Sequence, residues 1–67
     1  MKIKYDKLWN LMRANKMNKG QLAKAAEISK YTMNKLYKDE PVDLKVMMNI
    51  CKVFHCDIGD VMEFVEE

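Results

Sequence analysis

Residues 17–38 read MNKGQLAKAAEISKYTMNKLYK. This segment fixes the architecture because two apolar stripes of helical spacing run through it with one break between them. Asn18 is a good helix N-cap, and Gln21, three residues on, is long enough to reach back to the Asn18 backbone as a capping box. Leu22, Ala23 and Ala26 follow as an inner face, and Ala23 is small enough to let another helix approach closely. At Glu27, Ile28 and Ser29 the period breaks. Ser29 caps a second helix, Ile28 stands just before that cap, and Met33 and Leu36 resume the apolar stripe.

Two helices of about eight residues, joined within about four, can bury Leu22, Ala26, Ile28, Met33 and Leu36 together only by crossing steeply, which is helix-turn-helix geometry. The rest of the chain supplies what these two pack on. A first helix is predicted from about Tyr5 to Asn15, with Leu8, Leu11 and Met12 inward and Trp9 half-buried beside them. After KDEPVD, which holds the one proline, Pro41, a fourth helix starts at the Asp43 cap and runs to about Phe54, with Leu44, Met47, Ile50, Cys51 and Phe54 on one face. Asp57 caps a fifth helix whose Ile58, Val61 and Met62 close the core, and Gly59 weakens its first turn. The expectation is an all-α, five-helix domain with the helix-turn-helix formed by helices 2 and 3, its core spanning about residues 5–64. The ends, KIKY and EFVE, alternate apolar and charged residues of opposite sign; they either pair as short strands, within a chain or across a dimer, or fray.

A chain of 67 residues reads as one small domain, near the lower limit for folding on a single core. With 49% apolar and 33% charged residues the composition is globular rather than disordered. No apolar run is long enough to span a membrane, and MKIKYDKLW lacks a signal-peptide stretch, so a cytoplasmic protein is expected. Cys51 and Cys56, in CKVFHC, have a spacing that does not suit a local disulfide, and a reduced compartment is the simpler reading. With His55 they fall short of the four ligands a closed zinc site needs, so no metal is expected and both read as small buried apolar residues. No Ser/His/Asp set, phosphate-binding glycine loop or other cofactor motif is present; no catalytic residue, cofactor or enzyme activity is expected. The seven methionines read as core filler.

Charge is informative through its distribution. Residues 1–38 hold ten bases against Asp6 and Glu27, net +8, whereas residues 39–67 hold two bases against eight acids, net −6. Such asymmetry points to a polyanionic partner for the first half, with solvated surface lysines as the bland alternative. On the helix that opens at Ser29, Lys30, Asn34 and Lys38 share one outward strip with Tyr31 and Lys35. No acid occurs between residues 28 and 38, although a merely soluble face mixes both signs. The strip suits a helix in the DNA major groove: lysine donates to guanine O6 and N7, asparagine pairs with adenine, and tyrosine meets a phosphate or a thymine methyl. Asn18 and Lys19, at the start of the preceding helix, are placed for a phosphate beside unsatisfied backbone N–H groups. Lys38 and, less directly, Lys16 and Lys35 are placed for the other strand.

With these residues in view, the segment from MNKGQLAKAAEIS through LKVMMNICKVFHCDIGDVM resembles the phage-repressor and Cro-like, or xenobiotic-response-element type, helix-turn-helix family of DNA-binding regulators. QLAKAAEIS looks like that family's second helix, turn and Ile-Ser start of the recognition helix, and the likeness covers about residues 5–64. The resemblance implies sequence-specific binding of double-stranded DNA by a bacterial transcriptional regulator, with the recognition helix at about residues 29–38. It implies base reading by Lys30, Tyr31, Asn34 and Lys35, and phosphate contacts from Asn18, Lys19, Ser29 and Lys38. Three departures stand out: Glu27 replaces a common glycine, implying a positive φ or an altered turn; Gly20 loosens helix 2; and Asp39 and Glu40 bring acids to the turn after the recognition helix. One module reads few base pairs, so a homodimer through helices 4 and 5 and the C-terminus, using Val46, Val53, Phe64 and Val65, is the expected partner arrangement. A protein-interaction module of antitoxin or adaptor kind, meeting an acidic surface with the same strip, is the alternative.

Overall fold

Local capping chemistry opens two of the helices in the computed structural model, which describes residues 1–67. In chain order the elements are β1 (Lys2–Lys4), α1 (Asp6–Ala14), α2 (Lys19–Ala25), α3 (Lys30–Tyr37), α4 (Leu44–Phe54), a 3₁₀ turn (Ile58–Asp60) and β2 (Glu63–Val65). The Asn18–Gln21 capping box opens α2: the Gln21 N–H donates to Asn18 Oδ1 and the Asn18 N–H donates to Gln21 Oε1, each at 2.8 Å. At α3 the Thr32 N–H donates to Ser29 Oγ at 3.1 Å. Asp43 precedes α4 with extended backbone, but its carboxylate makes no capping bond.

The helix ends are alike, and only the one at Glu27 was marked in the sequence, by its family position. Each α-helix stops at a non-glycine residue in the left-handed region: Lys16 (φ 53), Glu27 (φ 56), Asp39 (φ 56) and His55 (φ 53). The residue that follows donates its N–H back across six positions, from Met17 to the Met12 carbonyl (2.9 Å), Ile28 to Ala23 (2.8 Å), Glu40 to Lys35 (2.9 Å) and Cys56 to Cys51 (3.0 Å). This is the Schellman closure, in which glycine usually takes the left-handed position because it lacks a Cβ to clash. Here neither glycine occupies one.

Eleven apolar side chains form the core, one or more from each α-helix, with Tyr5 before α1, Ile28 in the α2–α3 turn and Val61 after the 3₁₀ turn. Leu8, Leu22, Leu36, Ile50 and Val61 are sealed from solvent, so each contributes at the upper end of the roughly 1.5–3 kcal/mol of a buried aliphatic side chain. The crossing of α2 and α3 expected from Leu22, Ala26, Ile28, Met33 and Leu36 is thus matched by the burial of all five.

Four expectations are corrected. There are four α-helices rather than five, and the fold is not all-α. The fifth helix is a single 3₁₀ turn, opened by an Asp57–Asp60 capping box in which the Asp57 N–H donates to Asp60 Oδ2 (3.1 Å), with the Ile58 N–H donating to Asp57 Oδ1 (2.8 Å). The chain then leaves for a strand: β1 and β2 pair antiparallel within the chain, Lys2 opposite Val65, Ile3 opposite Phe64 and Lys4 opposite Glu63. Across this ladder Lys4 is the one base set opposite an acid, Glu63, and Lys7 adds a bond to the Gly59 carbonyl (3.0 Å) and an ion pair with Glu63 (3.8 Å). Finally, Leu44, assigned to the inner face of α4, is 71% exposed, while Val46 and Val53, assigned outside it, pack against the core. Leu44 is the first residue of α4. No helix is long and apolar enough to cross a membrane.

Candidate nucleic-acid interface

The α3 strip stands clear of the protein. Lys30, Tyr31, Asn34 and Lys38 are exposed and Lys35 is half-buried, while Met33 and Leu36 on the opposite face are in the core. None of these lysines has a carboxylate partner. The molecule's two ion pairs are Lys4–Asp39 and Lys7–Glu63, so the positive charge of α3 is left unneutralised. Lys35 Nζ lies 5.1 Å from the centroid of the Tyr31 ring, a cation–π contact that holds both side chains on the outer surface. Tyr31 is 70% exposed, so its ring and hydroxyl are open to a partner.

Ser29 is more constrained than its sequence position implied. Its hydroxyl accepts from the Thr32 N–H and donates to Thr32 Oγ1, both at 3.1 Å, which commits it to the cap. Asn18 likewise spends its carbonyl oxygen on Gln21 and keeps its amide NH₂ for another acceptor. Beside it Lys19 extends over the ring of Tyr37, with Nζ 4.1 Å from the centroid. Tyr37 in turn stacks on Trp9 of α1, centroids 5.1 Å apart and planes 30° apart. The end of α3, the start of α2 and α1 are thereby joined through one aromatic stack. An open groove of about 620 Å³ runs there, lined by Trp9, Met12, Arg13, Asn18, Lys19, Gly20 and Tyr37, with no acid among them.

Tyr37, Trp9 and Arg13 were missed in the sequence as members of this surface. Tyr37 lies three residues after Asn34 on α3, so its nearness to the strip was available from spacing. Its contact with Lys19 depends on the α2–α3 crossing and was not. Asp39, expected to bring a charge to the turn after α3, is turned back into the protein. It accepts from Lys4 Nζ and from the Tyr5 N–H, each at 3.3 Å, and the Tyr5 hydroxyl donates to the Glu40 carbonyl at 2.7 Å. Burial and, secondarily, the Asp39 charge push the Tyr5 phenol above its ordinary pKa. The N-terminal strand therefore anchors the C-terminal end of α3. At the far end of α4, His55 is exposed, and no group of three or more His, Cys, Asp or Glu side chains is arranged to hold a metal ion.

A cap-started second helix crossing the first, with an acid-free outer strip, is the arrangement of a DNA-reading module, and comparison with known proteins agrees. The family model described as the Cro/C1-type HTH DNA-binding domain matches residues 7–67. The chain belongs to the Cro/C1-type helix-turn-helix family. This is a family of DNA-binding domains and not of enzymes. Among solved structures, a crystal structure of the transcriptional regulator VanUg is similar to this Cro/C1-type domain over 98% of the present chain and 88% of that chain, with 42% sequence identity and a TM-score of 0.94. No protein of curated function matches.

Proposed function

We propose that this Cro/C1-type domain binds double-stranded DNA in a sequence-specific way and regulates transcription, with α3 in the major groove. Lys30, Tyr31, Asn34 and Lys35 read base edges; Asn18, Lys19, Ser29 and Lys38 hold phosphates and set the register. The observation that carries this reading is the outer strip of α3, where three lysines, an asparagine and a tyrosine stand without a single acidic partner. Lysines paired with carboxylates would have little charge left to displace the counterions of a duplex; these have all of it. Given the capping role of its hydroxyl, Ser29 meets a phosphate through its backbone N–H. The likeness to VanUg, a transcriptional regulator, supports the regulatory part of the proposal.

The domain acts as a homodimer on a two-fold site. The surface for a second copy is built from Leu44, Met48, Ile58 and Phe64, which are exposed on α4, the 3₁₀ turn and β2, in place of Val46 and Val53, which the core has taken. Selection of tight-binding duplexes from a random pool, followed by mass measurement of the complex, tests both parts. A selected site with two half-sites about one DNA turn apart and two chains per duplex is expected. In the double variant Lys30→Ala, Lys35→Ala, binding should weaken and lose sequence preference, whereas Lys19→Ala, Lys38→Ala, which removes two phosphate contacts, should make the salt dependence shallower by about 2 in the log–log slope. Unchanged duplex affinity in the first of these variants would refute the assignment of the strip and favour a protein partner.

A further inference from the structure

The corner after α4 brings two thiols together, although their spacing in the sequence did not suit a local disulfide. Cys56 donates its N–H to the Cys51 carbonyl at 3.0 Å, across His55 at φ 53 and ψ 50. In a corner of this type the first and sixth side chains meet; the equivalent pairs are Met12 with Met17 after α1 and Ala23 with Ile28 after α2. The bond also limits the separation of the backbone. A Cα lies about 2.4 Å from its own carbonyl oxygen and about 1.5 Å from its own nitrogen. A 3.0 Å hydrogen bond therefore keeps the Cys51 and Cys56 Cα atoms within about 7 Å, the outer limit of the separation a disulfide bridges. Both residues are free cysteines, both rest against the core, and both retain some solvent access.

We infer that Cys51 and Cys56 form a dithiol site which a small disulfide of the glutathione type oxidises to an intrachain disulfide while the chain stays folded. The order of attack follows from the surroundings. Burial, then the neighbouring Cys56 and the nearby Asp57 and Asp60, push the Cys51 thiol up to about 11, so at neutral pH it is almost entirely protonated and the first nucleophile is Cys56. The Cys56 thiolate attacks one sulfur of the small disulfide; a mixed disulfide forms, the original S–S bond breaks, and one half leaves as a thiolate. Cys51 then loses its proton to water and attacks Cys56 Sγ, breaking the mixed disulfide and expelling the other half. Two protein thiols are oxidised, the small disulfide is reduced to two thiols, and the two protons released by the protein are taken up by the two leaving thiolates. The site is absent from the acid-free face of α2 and α3, so it does not depend on duplex binding.

The reduced full-length chain, treated with oxidised glutathione in native buffer and then alkylated, should lose the mass of two hydrogens, resist alkylation at both cysteines, keep its far-ultraviolet dichroism, and recover both thiols in dithiothreitol. Cys51→Ser should stop at a mixed disulfide on Cys56. Cys56→Ser, in which burial still raises the Cys51 thiol although the contribution of Cys56 is gone, should react more slowly than Cys51→Ser. A wild-type product that remains a mixed disulfide on Cys56, that couples two chains, or that closes only in denaturant would overturn the site. Equal rates for the two single variants would overturn the order of attack.

Discussion

Replacing Glu27 by glycine is expected to stabilise the protein although it removes every side-chain atom. Glu27 ends α2 at φ 56, where an L-residue sets its Cβ against backbone at a cost of about 1–2 kcal/mol. Its carboxylate makes no hydrogen bond or ion pair that would offset this. Glycine removes the clash and gives back about 0.5–1 kcal/mol through the greater freedom of the unfolded chain. The balance is a gain of about 0.5–1 kcal/mol, which for a chain of this size raises the melting temperature by about 2–8 °C. Lys16, at φ 53 after α1, meets the same condition, and because the two turns are separate the double variant should gain about the sum. Thermal and urea unfolding of Glu27→Gly and Lys16→Gly, each beside its alanine counterpart, measures this. Alanine keeps the Cβ and the clash, so it should stay within about 0.5 kcal/mol of the parent. Glycine variants no more stable than the alanine ones would show that the left-handed corners carry no recoverable cost.

The remaining expectations concern neighbouring parts of the same framework. Gly20→Ala, inside α2 with room for a Cβ whose nearest neighbour is Asn18 Oδ1 at 3.5 Å, should raise stability by about 0.5–1 kcal/mol in chemical unfolding. Tyr5→Phe deletes the bond to the Glu40 carbonyl and should cost about 1–2 kcal/mol. Because the folded-state pKa of Tyr5 lies above its unfolded value of 10.0, its contribution is complete below that pH and is lost as pH rises through the folded value, so the gap between parent and variant should narrow in alkaline melts. Asp39→Ala removes the partner of Lys4 and of the Tyr5 N–H, both partly solvent-exposed, and should cost about 1–2 kcal/mol, whereas Asp39→Gly should recover about half of that by relieving φ 56. Equal losses for the two Asp39 variants in the same unfolding assay would contradict the assignment of strain there.

The helix starts were legible because capping chemistry is local: Asn18 with Gln21, and Ser29, announce themselves within four residues. The ends were not, since the usual marker is glycine and this chain closes its helices with lysine, glutamate, aspartate and histidine; only Glu27 was suspect in advance, through its family position. The apolar periods identified Leu8, Met12, Leu22, Leu36 and Ile50 as core. They failed at Leu44 and at the fifth helix, where the outcome depends on what lies across the chain rather than along it. Pairing of Ile3 with Phe64 joins residues at opposite ends of the sequence, and nothing local chooses between that strand and a frayed end. The outer strip of α3 could be read from spacing and charge alone, but the Trp9–Tyr37–Lys19 stack beside it required the crossing of the helices.

Placement of the outer strip of α3 in the major groove is open to amide chemical-shift mapping of the labelled protein, titrated with its selected duplex. The expected result is that the largest changes fall on Asn18, Lys19 and residues 29–38, with the 3₁₀ turn and its surroundings changing only as a second copy binds. Changes concentrated on α4 and β2 at a ratio of one chain per duplex, with α3 undisturbed, would contradict that placement.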